Sequence, residues 1–204
     1  MNVKNCEYCM RSFLANNLQR HYINCKKKDA ILFEKELQNY LGVKHAIGCA
    51  NGTDALTIAL WAFDLQEGDE VILADHEHTS GSVCWEVFQE TKGVKIVRPK
   101  LQILPSSTEE IVEIYKSAIT ARTKVISMCH IVNTNGMILP VKEVSRMAHE
   151  RGIFVAVDGA QSAGMINIDL HDLGCDFYTA SAHKWLFAPK GIGIFYAKKS
   201  SQEI

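Results

Sequence analysis

Apolar residues in this chain fall into two kinds of pattern. Short compact runs at 46–50, 70–74, 95–97, 124–128, 153–157, 175–179 and 192–197 read as buried strands. Between some of them the apolar positions recur at helical spacing, over 55–63, over 108–121, and from Pro140 through Val144 and Met147. A further helix is expected over 29–42. Asp29 caps its start, Ile31, Leu32, Phe33, Leu37, Tyr40 and Leu41 form its apolar face, and Gly42 caps its end. Strands that alternate with helices argue for an α/β fold, three layers deep, with a doubly wound and mostly parallel seven-stranded sheet.

Composition changes this picture little. The 204 residues suffice for one good-sized domain plus a small module. A net charge of −1 creates no global field for a polyanion. No apolar run approaches the roughly 20 residues that cross a bilayer, and the N-terminus lacks the apolar core of a signal peptide. Seven cysteines are an odd number, and three of them cluster with a histidine near the start. That favours a metal site in a reducing compartment over a disulfide framework, and a cytoplasmic location is expected.

Cys6 and Cys9 form a C-x-x-C knuckle, and His21 and Cys25 lie one helical turn apart. Zinc takes four such ligands in a tetrahedron, with Phe13 and Leu18 left to make a tiny core that needs the metal to hold. The pattern CEYCMRSF…LQRHYINC resembles C2HC-type zinc fingers and sets a first domain at 1–28, before a domain at 29–204. A single finger offers little surface for reading DNA. Protein contact or a structural role is the expectation, with Lys26, Lys27 and Lys28 as a solvated linker.

The candidate chemistry lies past the ends of the strand-like runs. Val155-Ala156-Val157 delivers Asp158 and Gln161, and Phe177-Tyr178 leads to Ser181, His183 and Lys184. Ligands of open α/β sheets bind outside the carboxyl ends of the strands, so these groups are expected in one crevice. A lysine amine condenses with an aldehyde to a Schiff base. A carboxylate can keep a pyridine nitrogen protonated, which makes the ring an electron sink. Ser181 and His183 suit a phosphate. So does the turn at Gly52 and Thr53, which opens a helix whose first backbone N–H groups favour an anion. Together they suit pyridoxal 5'-phosphate (PLP).

DGAQSAG, followed by SAHKW and the glycine-rich GIGIFY, resembles the class V aminotransferase family of fold-type I PLP enzymes. That family includes cysteine desulfurases and isopenicillin-N-epimerase-like proteins, and the HKWLFAPKG form is nearest the epimerase-like branch. The stretch YLGVKHAIGCANGTDAL is more similar to sugar aminotransferases of the DegT type, another fold-type I group, in which Thr53 still maps to a phosphate ligand.

The resemblance runs from about Phe33 to the end and implies several roles. Lys184 carries the cofactor as a Schiff base and serves as the acid–base group. Asp158 meets the pyridine nitrogen, Gln161 the ring oxygen, and Ser181 and His183 the phosphate. His78 stacks on the ring and relays protons, with Trp85 a few residues on, and Asn133 binds the ring hydroxyl or the substrate. The seventh strand is antiparallel to the others, and the protein is a homodimer acting on an amino-acid-like substrate.

His76 and His78 fall on one face of an extended stretch, which leaves a metal as the alternative there. Trp185 reads as a packing residue, and Cys49, Cys84, Cys129 and Cys175 as small buried hydrophobes. The resemblance stops where the family's smaller C-terminal domain begins, the usual source of the arginine that binds a substrate carboxylate. The alternative function is therefore a catalytically incomplete PLP-fold scaffold, tethered to a finger for protein or nucleic-acid contact.

Overall fold

The computed structural model describes residues 3–5, 12–14, 34–36, 38–39, 42, 47–49 and 51–201. The chain divides into two compact units, Met1–Ala46 and Ile47–Ile204. In the first, β1 (Val3–Asn5) pairs antiparallel with β2 (Ser12–Leu14), with Val3 opposite Leu14. Residues 34–36 and 38–39 are helical, and Gly42 has a φ of +64°, as expected of a helix ended by a glycine cap. Cys6, Cys9, His21 and Cys25 lie outside the described residues.

The second unit is built on seven strands: β3 (Ile47–Cys49), β4 (Glu70–Leu73), β5 (Lys95–Val97), β6 (Thr123–Cys129), β7 (Phe154–Asp158), β8 (Phe177–Ser181) and β9 (Gly193–Ala197). Their order across the sheet is β3-β9-β8-β7-β6-β4-β5. Only β9 runs against its neighbours; the pairs from β8 through to β5 are all parallel. Each sequence-derived strand is present, and the antiparallel strand is the one the resemblance implied.

Among the described residues, five α-helices flank the sheet: α1 (Gly52–Ala62), α2 (Thr79–Lys92), α3 (Thr108–Ser117), α4 (Val141–His149) and α5 (Leu170–Leu173). On one face Leu56 and Leu60 of α1, Trp85 and Phe88 of α2, and Phe63 pack on Val71, Leu73, Val125, Ala156 and Phe177. Phe63 is central, with ring centroids 6.4 Å from Trp85, 5.5 Å from Phe154 and 5.0 Å from Phe177. Burying a ring of that size stabilises by about 1.5–3 kcal/mol. Ile72, Ile126, Val155 and Val157 are one step out of phase on the same strands and fully buried, so they face the other way. Helices α3 and α4 pack on each other, and α4 packs on β7, to cover that second face.

Two differences from the sequence-derived elements have clear causes. α3 ends at Ser117 rather than near Ala121. The threonines beyond it offer the backbone other partners: Thr120 N–H donates to Thr123 Oγ1 at 2.9 Å, and Thr120 Oγ1 donates to Glu70 Oε2 at 2.5 Å. α2 went unpredicted because TSGSVCWEVFQETK holds a glycine, serines and β-branched residues of low helix propensity. What makes it a helix is one buried face, Gly81, Cys84, Trp85 and Phe88. The Trp85 indole N–H donates to Ser127 Oγ on β6 at 2.9 Å.

Candidate active site

Parallel strands present their carboxyl ends at one edge of the sheet, and the site lies there. β7 ends in Asp158 and β8 in Ser181. Past β8 the chain turns tightly, with Lys184 N–H donating to Ser181 O at 3.3 Å. The loop is closed by Ala188 N–H to Ala182 O and Ala182 N–H to Ile192 O, both at 3.1 Å. His183 and Lys184 are thereby held beside the strand end. From β3 the chain passes Asn51 into α1. The Asn51 Oδ1 caps that helix by accepting Asp54 N–H at 2.8 Å. The turn after β4 brings in Glu77 and His78, and His78 Nδ1 caps α2 by accepting Ser80 N–H at 3.1 Å.

These elements enclose a cavity of about 220 Å³ whose wall includes Gly52, Thr53, His78, Asp158, Ser181, His183 and Lys184. A much smaller hollow of about 10 Å³ adjoins it and adds Asn133 and Gln161 to the shared His78, Asp158 and Lys184. Every residue that the sequence nominated for cofactor binding thus lies at one place, although Gly52 and Asn133 are 81 residues apart (133 − 52). Asn51, Ser80, Gly81 and Ala160 also line the larger cavity. No motif marked Ser80 or Gly81, whose helix was itself unforeseen.

Close approaches shape the wall. Gly52 N–H donates to Ser181 Oγ at 3.1 Å, and a Cβ on Gly52 would lie only 2.7 Å from that oxygen. A glycine is therefore needed to join the α1 N-terminus to the end of β8. Asp158 Oδ1 accepts Ala160 N–H at 2.8 Å, while Oδ2 faces Gly81. Burial pushes the Asp158 carboxyl up; the Ala160 N–H, Lys184 and His78 oppose it without cancelling it. The His183 Nδ1 is buried and has no hydrogen-bond partner among the described residues. Behind Asp158, Tyr178 Oη is hydrogen-bonded to Ser162 Oγ at 2.5 Å and to His130 Nδ1 at 3.0 Å. Burial lowers the His130 pKa to about 4, so that imidazole is neutral and rigidly held.

The alternatives raised for other residues resolve differently. His76 Nδ1 is taken up by Asp75 Oδ1 at 2.8 Å, and His78 Nδ1 by the Ser80 cap. Among the described residues, no group of three or more His, Cys, Asp or Glu could hold a metal ion. Trp185 is not a packing residue: it is 41% exposed, and its indole N–H donates to Gln161 Oε1 at 2.9 Å. Asn135 is a turn residue, its Oδ1 accepting Met137 N–H at 3.0 Å. Cys49, Cys84, Cys129 and Cys175 are buried free thiols. Burial pushes Cys49, Cys84 and Cys175 up to about 12 and Cys129 higher still, so none is a thiolate nucleophile near neutral pH.

The α/β fold with its mostly parallel seven-stranded sheet matches PLP-dependent cysteine desulfurase structures. The cysteine desulfurase CsdA of Escherichia coli superposes with a TM-score of 0.75 over 93% of this chain and 47% of that one, at 25% identity. A C-DES mutant with glycine covalently linked to its PLP cofactor gives a TM-score of 0.78 over 92% of this chain and 49% of that one, at 23% identity. This chain belongs to the aminotransferase class-V family, whose profile matches residues 17–204. Among curated relatives, isopenicillin N epimerase of Streptomyces clavuligerus is 37% identical over 146 residues, 72% of this chain. That alignment takes in only 37% of the relative's length.

Proposed function

We propose that this chain binds pyridoxal 5'-phosphate and forms the cofactor half of an enzyme acting on an amino-acid-like substrate. The observation that carries the reading is the meeting of Lys184 and Asp158 in one cavity beside the unpartnered His183 Nδ1. The residues fit the group. The pull of Lys184 and His78 does not cancel the burial of the Asp158 carboxyl, and a pyridinium would add a further cation. An unpartnered imidazole nitrogen, a serine hydroxyl and a helix start suit a phosphate.

Gly52, Thr53, Ser181 and His183 would hold the phosphate, and Asp158 the ring nitrogen. Gln161 and Asn133 would bind the ring oxygen, with His78 over the ring face. Lys184 would provide the amine. When bound, the cofactor supplies an aldehyde and an electron-withdrawing ring. The chain's own work is then positional and protonic. Asp158 would keep a positive charge at the ring nitrogen, and Lys184 Nζ would carry a proton to and from the substrate's α-carbon.

The test is an absorption spectrum of the full chain with added PLP, titrated with a panel of amino acids. A visible band that Lys184→Ala abolishes, and that one class of amino acid perturbs, supports the proposal. Absence of the band in the wild type overturns it. A band that no amino acid perturbs leaves a cofactor-bearing scaffold instead of an enzyme.

For the N-terminal segment we propose one zinc ion on Cys6, Cys9, His21 and Cys25, supported by their spacing alone. Metal analysis giving one zinc per chain, lost in Cys9→Ser, is the expected result; a full complement in that variant refutes it.

A further inference from the structure

A second carboxyl group stands beside Asp158, outside the set of residues given a role from the sequence. Glu77 lies in the turn between β4 and α2, and its Oε1 accepts the backbone N–H of Cys129 at 2.8 Å. Cys129 ends β6 and is in register with Asp158, which ends β7. That hydrogen bond therefore delivers Glu77 to the strand next to Asp158. The two side chains also bracket a single point. A Cβ placed on Gly81 would lie 3.2 Å from Asp158 Oδ2 and 3.8 Å from Glu77 Oε2. Asp158 Oδ1 is held by Ala160 N–H, and Oδ2 is the oxygen that faces Gly81.

We infer that Glu77 is a positioning residue for Asp158: the two carboxyls lie close enough for the charge of one to oppose that of the other, and this coupling sets the negative charge with which the cavity holds a cation. The identity of the cation, a pyridinium, rests on the cofactor reading above; the coupling of the two carboxyls does not.

Two carboxyl groups at close quarters do not both ionise readily, and they titrate as a pair. The groups around Glu77 leave it the proton. Burial pushes it up to about 8, with the Cys129 N–H pulling down and the Asp158 charge pushing further up. Arg98, beyond β5, is a cation within reach of Glu77 and is engaged by Glu86 at 2.8 Å, while Lys184 and His78 act on Asp158. From α3, Tyr115 contributes a buried hydroxyl that finds no partner among the described residues, and from β6 the Cys129 thiol is held neutral. Below the Glu77 midpoint the pair thus carries at most one charge. Ionisation of Glu77 adds a negative charge, and the grip on a cation tightens.

The experiment is a pH titration of the side-chain carboxyl carbons by NMR on the full chain, followed by the same titration of the visible band after adding PLP. In the wild type the Asp158 carbon shows a second inflection near pH 8, where Glu77 ionises. Glu77→Gln keeps an acceptor oxygen for the Cys129 N–H but cannot ionise, so that inflection disappears from both the carbon and the band. Glu77→Asp retains the inflection at a shifted pH and serves if the glutamine variant does not fold. An Asp158 profile identical in wild type and Glu77→Gln overturns the inference. Coupled carboxyls in a chain that forms no band would sink the cofactor reading and leave the pairing standing.

Discussion

The indole N–H of Trp185 donates to Gln161 Oε1 across 2.9 Å, tying the loop that carries Lys184 to the loop that follows Asp158. The two loops also touch through backbone: Gly164 has a φ of +89°, and a Cβ there would meet the Trp185 carbonyl oxygen at 2.7 Å. Fixing the amide oxygen of Gln161 leaves its NH2 group to face the hollow shared with Asn133. Trp185→Phe keeps a ring but removes the donor, which costs about 1 kcal/mol. Cofactor affinity should fall about fivefold on that scale, read from the visible band in a PLP titration. The unfolding midpoint should move little, because Phe keeps the covered part of the ring and Trp185 is 41% exposed.

Where β9 begins, the backbone passes very close to the start of α1. A Cβ on Gly193 would lie 2.4 Å from Asn51 O and 2.5 Å from its carbonyl carbon, and neither backbone atom can swing aside. Gly193→Ala should therefore push β9 off the helix start and lower stability by about 2 kcal/mol, within the range for overpacking. Chemical denaturation measures the loss. Weaker binding of inorganic phosphate to the same variant would place the damage at the helix start.

On the far side of the sheet Asp176 is a structural clamp. Its Oδ2 accepts from His149 Nε2 and Val155 N–H, both at 2.8 Å, and its Oδ1 from Ser201 Oγ at 2.6 Å. Burial works against its charge, but the hydrogen bonds from His149, Ser201 and Val155 outweigh burial and hold the carboxyl below its ordinary value. A folded carboxyl that holds its proton less tightly than an unfolded one stabilises the fold above the unfolded pKa. That contribution is lost as pH falls through the depressed folded value. Asp176→Ala should cost about 3 kcal/mol at neutral pH. The gap to the wild type should narrow in acid denaturation curves below about pH 4.

Glu77 has the opposite sign. Its folded pKa is raised to about 8, so its stabilising share is whole below the ordinary glutamate range and lost as pH climbs to that value. Glu77→Gln does not titrate. Relative to the wild type it should gain stability between pH 5 and pH 8, in denaturant melts at the two pH values. A constant difference would mean that the carboxyl is not buried as described.

Local pattern alone determined the strands, several of the helices between them, and the positions of Asp158, Gln161, Ser181, His183 and Lys184 at or just past strand ends. The reason is that strand burial, helix caps and glycine turns are short-range effects, readable within a few residues. Only the folded chain decided α2, whose poor propensity is overridden by the burial of Trp85 and Phe88. It also decided the hold of Trp185 on Gln161 and the docking of Glu77 beside Asp158. Those contacts depend on which strands are neighbours: β4 lies next to β6, and β6 next to β7, although Glu77 and Asp158 are 81 residues apart in sequence (158 − 77). Proximity of that kind follows from sheet order, which no local periodicity encodes.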